Sequence, residues 1–114
     1  MSVPGSLFIQ PFIQRTPSVS ISIVEVLSPR SNFSTVDSIL ITNIMPFDIF
    51  VFIRVSTGNF LIIPKTNVPA GSVLQLLNES YFNLNSNESL LAYSDSSQNS
   101  FNITVEGRSF TELV

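Results

Sequence analysis

The spacing of the apolar residues constrains this chain more than any other feature. No stretch of useful length repeats them at i, i+3, i+4 and i+7, as a half-buried helix requires. They instead alternate with period two or run unbroken for five to eight residues, rich in Val, Ile and Phe. That pattern predicts an all-β chain with strands near 18–27, 36–44, 47–56, 59–64, 72–78, 89–94 and 100–106. Turn signals follow at short intervals, as in a sandwich or a partly open barrel. The 114 residues suffice for one domain. The expected fold is a single antiparallel β-sandwich of about seven to eight strands over 18–114, jelly-roll or Ig-like in order, preceded by an extended arm over 1–17.

Local signals place the turns. Gly58, in Val55-Ser56-Thr57-Gly58-Asn59-Phe60, can take a positive φ and close a hairpin with a three-residue loop. Pro64 is expected to end the second strand of that hairpin by removing a ladder donor. Val68-Pro69-Ala70-Gly71 suits a type I turn with proline second and glycine fourth. Residues 95–99 read as an exposed loop, and the asparagines between Leu77 and Glu88 as another, packed down at Tyr81, Phe82 and Leu84.

The residue inventory excludes most chemistry. There is no Cys, His or Trp. The chain therefore has no thiolate or imidazole for a metal, no Cys or Ser/His nucleophile pair, and no side chain whose unperturbed pKa lies near neutrality. The eight carboxylates show no spacing that singles out an acid/base pair. Oxygen ligands near Asp95, Asn99 and residues 83–88 lack EF-hand spacing, and the four isolated glycines exclude a phosphate loop. No cofactor, metal or catalytic residue is expected, and the chain does not read as an enzyme.

Charge narrows the partners. Five Lys and Arg are spread through the chain, so no cationic stripe can neutralise several phosphates, and nucleic acid is not an expected partner. Mean hydropathy is +0.38, yet the longest apolar runs, Ile39 to Ile41 and Ile49 to Ile53, fall far short of the roughly 20 residues of a spanning helix. No membrane partner is expected. Met1 to Arg15 lacks a basic n-region and is broken by Pro4 and Pro11, with Pro17 beyond, so it does not read as a secretory signal; the sequons at Asn32, Asn78, Asn87 and Asn102 then read as chance matches. Ser, Thr and Asn carry the polar surface instead of ions, which gives weak protection against self-association.

Two segments hold apolar residues that a core of this size does not require. Along 47–56, Phe47, Ile49, Val51, Ile53 and Val55 form one face, while Phe50 and Phe52 make the other face apolar as well. If Gly58 closes the loop, Phe60 and Ile62 extend that second face. It is either covered within the domain or forms a protein contact, because apolar patches of a few hundred Å² are seldom left open on a monomer. In the arm, Phe8-Ile9-Gln10 recurs after one proline as Phe12-Ile13-Gln14. Prolines forbid a helix there, and Leu7, Phe8, Ile9, Phe12 and Ile13 are too apolar for a disordered tail. The arm crosses its own sheet or reaches a neighbour as an added strand or strap.

Ile41-Thr42-Asn43, the Phe/Val/Ile strand, Ser56-Thr57-Gly58, Asn67-Val68-Pro69-Ala70-Gly71-Ser72, Val73 to Leu76, and Leu90-Leu91-Ala92-Tyr93-Ser94 together resemble the small β-sandwich virion proteins of tailed bacteriophages. The resemblance spans roughly 39–106 and excludes the arm. Where those proteins commonly have Gly-Asp opening the next strand, this chain has Asn87-Glu88. The resemblance implies a non-enzymatic structural subunit of a virion, at the capsid surface, neck or tail. Its expected partners are copies of itself, as a homo-oligomer, and other virion proteins, with Leu7, Phe8, Ile9, Phe12, Ile13, Phe50, Phe52, Phe60 and Ile62 at the interface. The alternative expectation is a carbohydrate- or receptor-binding module on a fibre or baseplate, using Tyr93, Asp95 and Gln98 or the 78–88 loop.

Overall fold

A computed structural model describes residues 7–29, 33–57, 61–77 and 80–112. Every regular element among them is a strand: β1 (Leu7–Val19), β2 (Val24–Leu27), β3 (Ser34–Asn43), β4 (Ile49–Val55), β5 (Leu61–Val68), β6 (Val73–Leu76), β7 (Phe82–Leu84), β8 (Leu90–Ser94) and β9 (Phe101–Glu112). One sheet has the order β1-β9-β3-β6, with β7 also on β3, and the other β2-β8-β4-β5; all pairings are antiparallel. The pairings are nested. The ends of the chain meet as β1 on β9, then β2 on β8, β3 on β6 and β7, and β4 on β5. That nesting defines a jelly roll and decides against the Ig-like order.

The core lies between the sheets, where the inward residues of each strand converge. Ile49, Val51, Ile53 and Val55 of β4 alternate inward, as do Phe101, Ile103 and Val105 of β9, and they meet Val36, Ile39 and Ile41 of β3 and Leu90 and Ala92 of β8. Alternation is enough to place these strands because one face is buried and the other is not.

Several expectations change. Residues 18–27 do not form one strand: Ser18 takes φ +60°, β1 ends at Val19, and β2 starts at Val24. β5 continues through Pro64 to Val68, because it is an edge strand and a proline on an edge costs no ladder bond. The turn after β5 is shifted by one residue. Ser72 N–H donates to Pro69 C=O at 3.1 Å, and Gly71, with φ +64°, stands third, as a type II turn requires. The short strand β7 falls where a loop was expected, pairing Phe82 with Val36. The expected turn at Gly58 lies outside the described residues.

Buried polar groups at one end of the sandwich are satisfied. The Asn43 side chain is buried; its amide donates to the carbonyls of Phe47, Val68 and Pro69 at 3.0, 3.0 and 3.1 Å, and its oxygen accepts from Met45 N–H at 2.8 Å. One side chain thus joins the β3–β4 connection to the turn after β5.

Gly107 stands opposite both Phe12 and Val36 in the ladders of β9. A Cβ there would sit 2.1 Å from the Thr35 carbonyl oxygen and 2.7 Å from Phe12 Cζ, so the close approach of β3 and the seat of the Phe12 ring both depend on its missing side chain. Gly107→Ala is expected to lower Tm by on the order of 15 °C, since it must displace backbone. Gly71→Ala meets nothing within 4 Å and bears only the left-handed backbone cost, a fall of about 5 °C. Thermal unfolding of both variants checks this; equal falls would contradict the close approach at Gly107.

Candidate assembly surface

The expected interface residues divide between the two sheets. β1 is an edge strand, paired in register along β9 from Leu7↔Glu112 to Thr16↔Ile103. Its pleat sends Phe12, Gln14 and Thr16, all half-buried, to the core side; Phe12 packs against the core cluster. Ile9 and Ile13 point the other way and are 50% and 46% exposed. Phe8 is 51% exposed, because it lies beyond Ser34↔Ser109, where β3 begins to pair with β9. Leu7 is placed by its backbone pairing with Glu112.

Phe50 and Phe52 lie on the outer side of the other sheet and are half-buried. Phe52 is directly opposite Tyr93 of β8, and the rings stack with centroids 4.8 Å apart and planes 6° from parallel. Lys65 Nζ sits 4.3 Å over the Phe50 ring, a geometry that attracts a cation to the π face. Ile62 is half-buried and packs against the core cluster. Arg54 pairs with Leu61 across β4 and β5, where bulges interrupt the ladder. Phe60 lies outside the described residues.

The residues of the alternative site are engaged locally. Tyr93 stacks on Phe52, and Asp95 Oδ1 accepts from Phe50 N–H at 2.9 Å. Gln98 is exposed, with its N–H donating to Ser96 Oγ at 3.2 Å. Glu88, at the departure from the phage pattern, accepts from Asn85 N–H at 2.7 Å and from the Thr57 hydroxyl, which makes it a loop brace. Among the described residues no cluster of acidic side chains could hold a metal ion, and no helix is long and apolar enough to cross a membrane.

Other exposed features were not anticipated from sequence. Phe33 stacks on Phe110 with centroids 4.8 Å apart. Beside them Arg108 makes a two-pronged bond to Asp37, both at 3.0 Å, which raises the guanidinium pKa further above its ordinary value. The alternation of β9, continued past Gly107, puts Phe110 on the outer side with Arg108; that signal was available, whereas its pairing with Phe33 depends on the sheet order. Ile21, Ile23, Ile44 and Phe47 are each between 43% and 54% exposed, in the connections that flank β2 and β4.

No family model and no curated protein matches the chain. Among solved structures it is similar to a subunit of the Bacillus endospore appendages, described as a novel family of disulfide-linked pili, with 6% identity, 98% of this chain and 96% of that one covered, and a TM-score of 0.57. Weaker likenesses are to the virus-like particle of the giant freshwater prawn Macrobrachium rosenbergii extra small virus, at 8% identity, 99% and 84% coverage and TM-score 0.48, and to the Tobacco streak virus coat protein, at 6%, 100% and 92%, and 0.41. The appendage likeness shows a shared β-sandwich fold.

The two faces of β1 should respond differently to substitution. Phe12→Ala removes a half-buried ring from the core margin and is expected to cost roughly 2 kcal/mol, or about 10 °C in Tm. Ile13→Thr keeps a β-branched side chain on the open face and is expected to leave Tm within about 3 °C. Thermal melts at low protein concentration check this, and a larger loss for Ile13→Thr would mean its face is covered within the chain.

Proposed function

We propose that this chain is a non-enzymatic structural subunit that works in many copies, as a homo-oligomer, in an assembled particle or appendage. The observation that carries this reading is the character of its surface. Large apolar side chains stand 37–64% exposed on β1, β3, β6 and the connections, on a chain with only five basic and eight acidic residues. A free-standing small domain commonly relies on dispersed ions to stay apart from its copies. A subunit covered by neighbours does not need them.

The fold likeness to a pilus subunit supports an assembled setting. The resemblance of residues 39–106 to tailed-phage proteins favours, as the finer proposal, a virion component at the capsid surface, neck or tail. The disulfide links for which those pili are described have no counterpart here, since this sequence has no cysteine; contacts between its copies rest on packing instead. The exposed face of β1, with Ile9 and Ile13, suits such contacts better than Phe50 and Phe52, whose rings already have partners.

A concentration series followed by light scattering and negative-stain microscopy tests this reading. Regular particles or fibres of the purified chain are the expected result. A chain that stays monomeric to its solubility limit, and instead binds a defined glycan on an array, would reverse it in favour of the carbohydrate-binding alternative.

A further inference from the structure

Most of the exposed large apolar residues lie toward the two ends of an elongated molecule, with Ile13, Leu40 and Tyr81 on its flanks. Its extents are 57 × 26 × 20 Å. The thirteen residues of β1 span roughly 40 Å at a strand's rise, too long for either short axis, so β1 and β9 run along the long one. At one end, past the pair Ser34↔Ser109, the β1–β9 ribbon extends without β3 and carries Phe8 and Ile9, with Phe33 stacked on Phe110 beside it. The opposite end holds the β1–β2 and β3–β4 connections, tied together by Ser100, whose N–H donates to Val19 C=O at 2.8 Å and whose C=O accepts from Ile44 N–H at 3.0 Å. Ile21, Ile23, Ile44 and Phe47 are exposed in these connections. The nearby carboxylates are occupied: Asp48 accepts from Ala70 N–H and Asp95 from Phe50 N–H, both at 2.9 Å.

The sheet edges are poorly suited to pairing with another copy. Pro11 keeps register with Arg108, so its nitrogen, which has no hydrogen, faces the open edge of β1. Pro17 interrupts the same strand, and Pro64 interrupts β5, the edge of the other sheet. The remaining edge strands, β2, β6 and β7, have only three or four residues. Short edges and edge prolines are how sandwiches avoid edge-to-edge association.

Resting on the reading of the chain as a self-assembling subunit, we infer that copies dock head to tail, the β1–β9 tip of one against the connection end of the next. Two dissimilar ends make this a heterologous contact, which propagates into a ring or an open fibre. The area fits repetition better than a tight dimer. With about half of each side chain open, each end offers roughly 300 Å² of apolar surface, taking about 150–250 Å² for a large side chain. The two together fall below the roughly 1,200 Å² that separates weak contacts from stable ones. Association should therefore depend steeply on concentration.

The test uses the full chain and two single variants, Ile9→Asp at the tip and Ile44→Asp at the connections, followed by sedimentation velocity, with circular dichroism to confirm the fold. Wild type is expected to grow into species longer than a dimer. Each variant alone should be monomeric, with association weakened at least tenfold, and an equimolar mixture should stop at a dimer, because one intact tip meets one intact connection end. A variant that dimerises alone would overturn head-to-tail docking in favour of an end pairing with itself. If both variants assemble as wild type does, the contact is lateral, and this inference fails while the proposed function stands. A wild-type chain that never assembles overturns both. Should an aspartate variant unfold, Ile9→Thr and Ile44→Thr make the same comparison.

Discussion

The antiparallel ladder between β1 and β9 is the constraint on which the rest of the structure depends. β9 is flanked by β1 on one side and β3 on the other, so its inward residues Phe101, Ile103 and Val105 are shared by both pairings. At Gly107 both neighbours press in, with the Thr35 carbonyl and the Phe12 ring in the space a side chain would take. This ladder joins the two ends of the chain, so it closes the longest loop in the fold, and its cost in chain entropy is offset only when the core beneath it forms. The outer face of β1 contributes nothing to that closure, which leaves Ile9 and Ile13 free of any role in the core.

Much of the architecture was legible in the period of the apolar residues, and the failures have physical causes. β4, β8, the first half of β9 and β3 beyond its bulge at Val36/Ser38 alternate cleanly because one face of each meets the core. β1 was read as an extended arm outside the sandwich, because Pro11 and Pro17 argue against a strand inside a sheet, though they are tolerated on an edge. The same reasoning cut β5 short at Pro64. Edge status depends on sheet order, and sheet order is a long-range property that local pattern does not carry. The turn at Pro69 was assigned one residue early because Gly71 serves through its positive φ at the third position instead of closing a type I turn at the fourth.

The candidate surface was legible in kind more than in place. An excess of apolar over charged residues pointed to a covered molecule, and the arm and the Phe50/Phe52 face both stood out. What the sequence could not show is that Tyr93 of β8 would come opposite Phe52 and stack on it, or that Lys65 would cover Phe50. These contacts satisfy the second face of β4 in part from within the chain. Nor could it show that Phe33 meets Phe110, since they lie far apart in sequence and are joined only through the β3–β9 register.

The jelly-roll nesting also explains why most of the exposed apolar surface falls toward two ends. Strands run along the long axis, so the β1–β2, β3–β4 and β5–β6 connections fall at one end, the β6–β7 connection lies beside β3, and the ladder of β1 and β9 overruns β3 at the tip. Along the sides, the strands present Arg15, Glu25, Lys65 and Glu106, together with the exposed Ile13 and Leu40. Charged groups on the flanks must be desolvated before like subunits pack side by side, whereas at the connection end Asp48 and Asp95, still charged, already accept from backbone N–H groups. If copies dock end to end as proposed, growth follows the axis of β1 and β9.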